Sequence, residues 1–190
     1  MTVTYRSVPP AEVPPMVDAL VDLYAVVYAE SPYSEGPDQV ARFRHGIPDD
    51  TTRDGFELVV AADETGTVVG AAYGWTMPTG KWWSRATTAG PVHVVAADKL
   101  AVMEWLVHPG HRGRGIGAGL MRRLLADRRE RWATLASDPR SAARRMYERA
   151  GWVQVGESTL PWGAPMHLLA IEIKKLCQDR QLIDTLKYVE

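Results

Sequence analysis

Thiols are almost absent from this chain: one of its 190 residues is a cysteine, Cys177, which excludes an internal disulfide framework and a metal cluster built on thiolates. An excess of charge of one sign is also lacking. The formal net charge is -1 with 24% charged residues, and this argues against general affinity for nucleic acid. The arginines are nevertheless concentrated from Arg112 to Arg149, which leaves room for a local positive patch. No apolar run is long enough to span a bilayer, and Met1 to Pro10 is polar and proline-rich rather than leader-like. The expectation is a cytoplasmic protein with no membrane and no nucleic-acid partner. No spacing of His, Asp and Glu suggests a metal site, no Ser or Cys sits in a recognisable nucleophile motif, and there is no internal repeat. What is present, 46% hydrophobic residues, suffices for a substantial core in one domain, or one domain with an appendage.

The chain is organised around Lys99 to Arg131. Leu100 to Val107 is almost continuously apolar, which suits a strand covered on both faces, although periodicity alone does not separate that from a buried helix. Pro109 and Gly110 close it. Further on, Ile116, Leu120 and Leu124 share one helical face with Met121 and Leu125, while Arg122, Arg123, Asp127 and Arg128 face away. Between strand and helix lies His-Pro-Gly-His-Arg-Gly-Arg-Gly-Ile-Gly, residues 108–117. The first N–H groups of a helix lack internal partners and carry a partial positive charge, so a glycine-rich loop leading into one can hold a phosphate. Gly113, Gly115 and Gly117 permit close approach, and Arg112 and Arg114 add charge.

Several cradles share these features. A P-loop needs Lys followed by Ser or Thr after its last glycine, whereas Gly117 is followed by Ala118 and Gly119. A dinucleotide fingerprint is met by Gly113, Gly115 and Ala118, with Asp138 near the expected distance. However, His108 to Arg112 intervene between strand and turn, and too little chain follows for a second mononucleotide half. A nucleotide-binding oxidoreductase using NAD therefore stands as a third reading.

Leu106-Val107-His108-Pro109 followed by Arg112-Gly113-Arg114-Gly115-Ile116-Gly117 resembles the acyl-CoA signature of the GNAT (general N-acetyltransferase) superfamily, Arg/Gln-x-x-Gly-x-Gly/Ala. A second block agrees: Ala142 to Trp152, containing Tyr147-Glu148-Arg149-Ala150-Gly151-Trp152, resembles the later helix of that family, which ends in Tyr-x-x-x-Gly-Phe/Trp. The resemblance is sharp from Leu100 to Trp152 and architectural from Thr4 to Lys174. It implies an α/β (α+β) fold, a mixed and mostly antiparallel central sheet flanked by helices, over residues 1–174. Residues 175–190 would be a C-terminal extension, in which Leu176, Ile183, Leu186 and Val189 could form a terminal helix.

Local signals place the remaining elements. Val3 to Val8 alternates as a strand. Val17, Leu20, Tyr24, Val27 and Tyr28 form a helical face, Ser31 to Pro37 is a loop, and a short helix is expected near Gln39 to His45. Phe56 to Ala61 and Val68 to Thr76 read as a hairpin around Ala62 to Thr67, in which Gly70, Gly74, Ala71 and Ala72 permit close packing. Met77 to Asp98 has no clear period and carries Lys81-Trp82-Trp83. Such a loop either exposes a tryptophan as a binding surface or is tucked onto the sheet by aromatic anchors. Trp132 to Ser137 is strand-like. Asp138-Pro139 reads as an N-cap and first helical position, and Gly151 as the cap that ends that helix. Val153 to Val155 and Met166 to Ile173 are the last strands, around a loop from Gly156 to Pro165.

Acetyl transfer to an amine needs a neutral amine, a polarised carbonyl, a proton for the departing thiolate and exclusion of water. The resemblance implies direct attack within a ternary complex, with acetyl-CoA as co-substrate. Arg112 to Gly117 would hold the pyrophosphate. Backbone groups near Leu106 and Val107, on a central strand splayed by a bulge, would hold the pantetheine, and Tyr147 would protonate the thiolate. Glu104 is the one carboxylate in the apolar central strand. Burying it uncompensated would raise its pKa, as suits a base, and pairing with an arginine is the structural alternative. His93, His108 and His111 are weaker base candidates. In the family the segment joining the first two helices lines the acceptor site, and here it offers Glu30, Tyr33, Glu35 and Asp38, which could receive a cationic amine or form an ordinary solvated loop. The family's usual Asn before the tyrosine helix is replaced by Asp138-Pro139-Arg140-Ser141, so that contact is lost or made by Ser141. The expected activity is N-acetylation of a primary amine, a small-molecule amine ahead of a protein terminus or lysine. The alternative is a non-catalytic acyl-CoA-binding or regulatory module on the same fold. A homodimer, common in the family, is left open.

Overall fold

The computed structural model describes residues 2–173; the expected C-terminal extension, residues 175–190, lies outside the described residues. Seven strands, β1 (Thr4–Val8), β2 (Glu57–Ala62), β3 (Val68–Met77), β4 (Lys99–Val107), β5 (Trp132–Ser137), β6 (Val153–Thr159) and β7 (Pro165–Glu172), form one sheet in the order β1-β2-β3-β4-β5-β7-β6. Every neighbouring pair is antiparallel except β4 with β5. Helices α1 (Val17–Tyr28) and α2 (Pro37–Thr51) cover one face. On the other lie α4 (Ile116–Leu124) and α5 (Ala142–Arg149), while the short α3 (Val92–Val95) sits within the long connection before β4. The mixed, mostly antiparallel sheet between helices is the expected architecture.

The helix after the glycine loop forms for the reason its sequence gives. Ile116, Leu120, Met121, Leu124 and Leu125 are all buried, each worth ~1.5–3 kcal/mol relative to exposure. Gly70 on β3 lets this helix close in, since a Cβ there would lie 3.0 Å from both Ile116 and Leu120.

Two irregularities in β4 create the functional geometry. Tyr73 pairs with Glu104 but Gly74 pairs with Val102, so Met103 is an extra residue, a β-bulge. Side chains alternate with period two, and one inserted residue exchanges the faces beyond it. Leu100 and Val102 therefore join the core beneath α4 and α5, as do Trp105 and Val107 beyond the bulge, whereas Leu106 joins the core beneath α1 and α2. Glu104 shares the Leu106 parity. The second irregularity is that β4 and β5 pair only over Lys99–Ala101 and Trp132–Thr134; past these residues the strands diverge into a wedge.

Three expectations need correction. The helix expected near Gln39 to His45 runs from Pro37 to Thr51: Gly46 and Pro48 read locally as a stop, yet buried Phe43 and Ile47 hold the extra turn against the core. The strand expected over Val153 to Val155 continues to Thr159 with a register shift between Gln154 and Gly156. Bare Gly156 admits the Thr88 hydroxyl, which would lie 2.8 Å from a Cβ. Asp138 is not a helix cap. The cap of α5 is Ser141, whose Oγ accepts from the Arg144 N–H at 3.1 Å, while buried Asp138 accepts from the backbone and guanidinium of Arg140. That guanidinium holds the Asp138 carboxyl below the usual carboxylate range.

The Lys81-Trp82-Trp83 segment is anchored on the sheet. Trp83 Nε1 donates to Thr134 Oγ1 at 3.1 Å, Trp82 packs on Gly90, and the buried Lys99 ammonium donates to the carbonyls of Pro78 and Lys81 at 3.1 and 3.0 Å.

Candidate active site

The wedge between β4 and β5 is a cleft of about 220 Å³, lined by Val102, Met103, Trp105 and Val107 on one strand and Leu135 and Ala136 on the other. Tyr28, Glu30 and Tyr33 close it from one side, Arg112, Ser141 and Tyr147 from the other. Because β4 has lost its strand partner here, its backbone edge is available to a bound chain of alternating amides and methylenes.

Past Arg112, which lines the cleft, the glycine loop turns into α4. Gly113 and Gly115 have φ of 73° and 74°, a left-handed conformation that costs residues with a Cβ ~1–2 kcal/mol, and Gly115 is the cap of the helix. The first-turn N–H groups of α4 have no partners within the helix and follow directly on Arg112 and Arg114, as suits a diphosphate. Trp105 ties the strand to this turn, its Nε1 donating to the Gly117 carbonyl at 3.0 Å. Arg112 is held between the two sides of the cleft: it donates to Glu30 at 2.6 Å and to the Val107 carbonyl at 3.3 Å.

Tyr147 projects from α5 as one of the cleft-lining residues and is 8% exposed. Its ring lies 5.4 Å from Trp105 and 6.0 Å from Trp152, so the Trp152 of the sequence motif serves to pack the tyrosine. Ser141, at the start of the same helix, also lines the cleft.

Glu104 stands on the opposite face. The bulge carries it beneath α1, where Tyr28 Oη donates to its Oε2 at 2.7 Å. Among the described residues it has no ion-pair partner, so the expected alternative of pairing with an arginine does not occur. Burial pushes its carboxyl up to about 8, and the carboxylates of Glu35 and Asp50 add to the rise while the Tyr28 hydrogen bond opposes it. Two further pairs repeat the pattern: Tyr24 donates to Glu35 at 2.5 Å and Tyr73 to Asp50 at 3.0 Å, and burial raises both carboxyls. Aromatic contacts join them, with Tyr28 4.5 Å from Tyr24 and 4.8 Å from Tyr33.

Arg112, Val107 and Tyr147 thus meet at one cleft, Gly113, Arg114 and Gly115 line a separate hollow with Tyr5, Gly119, Arg122 and Arg123, and the Leu106 side chain turns away into the core under α1 and α2. Glu30 pairs with the glycine-loop arginine, Glu35 faces Tyr24, and Asp38 is exposed in the first turn of α2. His93 packs edge-on against Trp132, and the His108 ring accepts from the Gly110 N–H at 3.1 Å; neither is among the residues lining the cleft. The sequence pattern does not mark Tyr28, Tyr73 and Asp50 as neighbours of Glu104. The one local trace of them is the pair Tyr24 and Tyr28, four apart on a helix face.

Residues 18–152 match the model of the acetyltransferase (GNAT) family. The chain belongs to the GNAT acetyltransferase family. It is accordingly an acyltransferase whose acyl donor is acetyl-CoA, and the left-handed glycines at the start of α4 and the unpaired strand edge fit that donor. Solved structures share the fold. The PaiA N-acetyltransferase of Thermoplasma acidophilum in complex with coenzyme A superposes with TM-score 0.60 at 10% identity, over 90% of this chain and 99% of that one. A GNAT-family acetyltransferase from Streptococcus pneumoniae gives 0.57 at 14% identity, over 90% and 99%. The polyamine N-acetyltransferase of Drosophila melanogaster gives 0.59 at 13% identity, over 90% and 100%. No curated protein matches the sequence. Among the described residues no helix is long and apolar enough to cross a membrane, and no group of three or more His, Cys, Asp or Glu is placed to hold a metal ion.

Proposed function

We propose that this acyltransferase moves the acetyl group of acetyl-CoA to the primary amine of a small cationic molecule by direct attack within a ternary complex. The observation that carries this reading is the uncompensated Glu104, turned by the bulge onto the acceptor face and joined there by Glu35 and Asp50. A cationic amine brought to these groups favours their ionised forms, so its arrival and the readiness of Glu104 to take a proton are coupled. The Drosophila neighbour named for polyamine acetylation accords with such an acceptor.

Each chemical need then has a residue. Glu104 takes the proton that frees the amine lone pair. An N–H of the unpaired β4 edge near Leu106 and Val107 polarises the thioester carbonyl; losing one such contact in other enzymes costs ~3 kcal/mol. The Tyr147 hydroxyl gives its proton to the departing thiolate and recovers one from the acylated nitrogen, so that one proton in all is released. Arg112 to Gly117 hold the diphosphate, for which Arg112 must exchange its Glu30 contact. Ser141, which lines the cleft, would take the pantetheine contact where the family's Asn is missing.

The test is thiol release from acetyl-CoA with spermidine, a simple diamine, a peptide with a free N-terminus and a lysine peptide as acceptors. Release with the small amines and little with the peptides is the expected result. Release confined to the peptides would overturn the acceptor assignment.

A further inference from the structure

The base and the cleft are separated by one side chain. Tyr28 lines the cleft and Glu104 does not, yet the Tyr28 hydroxyl donates to Glu104 Oε2 at 2.7 Å. Tyr33 packs edge-on against the Tyr28 ring at 4.8 Å and the Tyr24 ring lies 4.5 Å from it, so the side chain that lines the cleft is held against its neighbours with its hydroxyl on the carboxylate. The other titratable groups that interact with Glu104 are Tyr73, its cross-strand partner on β3, Tyr24 on α1, and the carboxylates of Glu35 and Asp50.

We propose that Tyr28 is a catalytic proton relay: as the acceptor ammonium gives a proton to the Tyr28 oxygen, Tyr28 gives its own to Glu104 Oε2. One N–H bond breaks at the amine, one O–H bond forms on Glu104, and Tyr28 loses one O–H and gains another. Burial and the adjacent carboxylate hold the Tyr28 hydroxyl well above its ordinary value, so the two transfers are concerted and no tyrosinate accumulates. The relay rests on the reading of Glu104 as base, but it differs from that reading in denying Glu104 direct access to the amine.

The experiment is the pH profile of kcat/KM, from pH 6 to 9.5, with spermidine and acetyl-CoA, for the wild type, Tyr28→Phe and Glu104→Gln, together with the CoA affinity of each. The relay requires Tyr28→Phe to lose rate at every pH, by about a hundredfold as expected for a lost acid–base group, with unchanged CoA affinity and a smaller solvent isotope effect than the wild type. A hydrogen bond that merely adjusts Glu104 gives a different result: its loss lets the Glu104 carboxyl rise, moving the acidic limb to higher pH and leaving the alkaline plateau intact. That outcome overturns the relay alone. A wild-type profile for Glu104→Gln, or no thiol release by the wild type with spermidine, overturns the underlying reading as well.

Discussion

The two sides of the cleft are made of different materials. The donor side is backbone: the left-handed Gly113 and Gly115, the first turn of α4 and the β4 edge abandoned by β5, all within one stretch of chain and backed by apolar packing under α4 and α5. The proposed acceptor side is side chain and reaches the cleft through Tyr28: behind it lie Tyr24 from α1, Glu35 from the connection, Asp50 from α2, Tyr73 from β3 and Glu104 from β4. A diphosphate and a pantetheine present the same groups in every encounter, so a local backbone conformation suffices for them. The proposed acceptor groups, by contrast, are assembled from five segments of the chain.

Removing chemistry from the acceptor side should have the largest effect. Glu104→Gln is expected to lower kcat by ~10²–10⁴-fold, the range for a general base, and to abolish the rise in kcat/KM that the wild type should show as pH climbs to about 8. Initial rates across pH check both. On the donor side Tyr147→Phe should lower kcat by ~10²-fold with CoA affinity retained, because the ring and its packing on Trp105 remain. A fall in affinity that matches the fall in rate would make Tyr147 a packing residue and blur the distinction between the two sides.

The next effect concerns the frame shared by both. A Cβ on Gly74 would collide with the Ala101 carbonyl of β4 beside the bulge. The obstacle is backbone, so Gly74→Ala should destabilise by ~1–3 kcal/mol, measured by denaturant unfolding, and should slow turnover by disturbing the Glu104 register.

A further expected effect is a pH slope in stability to which Glu104 contributes. In the folded chain the Glu104 carboxyl keeps its proton up to about 8, whereas in the unfolded chain it ionises near ~4.3. Between those values the folded state binds the extra proton, so its contribution is full at pH 4 and is lost as pH rises to about 8. The melting temperature should fall across that window, and Glu104→Gln should flatten the fall. A slope unchanged by the substitution would assign it to the other carboxyls that burial raises, Glu35, Asp50 and Glu57.

The same division explains what was legible. The glycine loop, the amphipathic α4 and the Tyr147 helix are local patterns, and each lies where its pattern indicated. Glu104 stood out because a lone carboxylate in an apolar strand needs an explanation. Tyr28, Tyr73 and Asp50 did not, since a tyrosine on a core face and an aspartate near a helix end are ordinary, and their meaning arises from the Met103 bulge that turns Glu104 towards them. Asp138 misled for a related reason: Asp-Pro has a strong local meaning, and Arg140 together with the Ser141 cap overrode it.

The most direct test of the donor cleft is calorimetric titration of the protein with CoA, acetyl-CoA and NAD, alongside Gly115→Val. Binding of CoA and acetyl-CoA but not NAD is expected, weakened by about tenfold or more in the variant, whose Cβ must adopt the left-handed conformation. Binding of NAD alone, or CoA binding indifferent to Gly115→Val in a variant that unfolds like the wild type, would contradict the placement of the donor at the glycine loop.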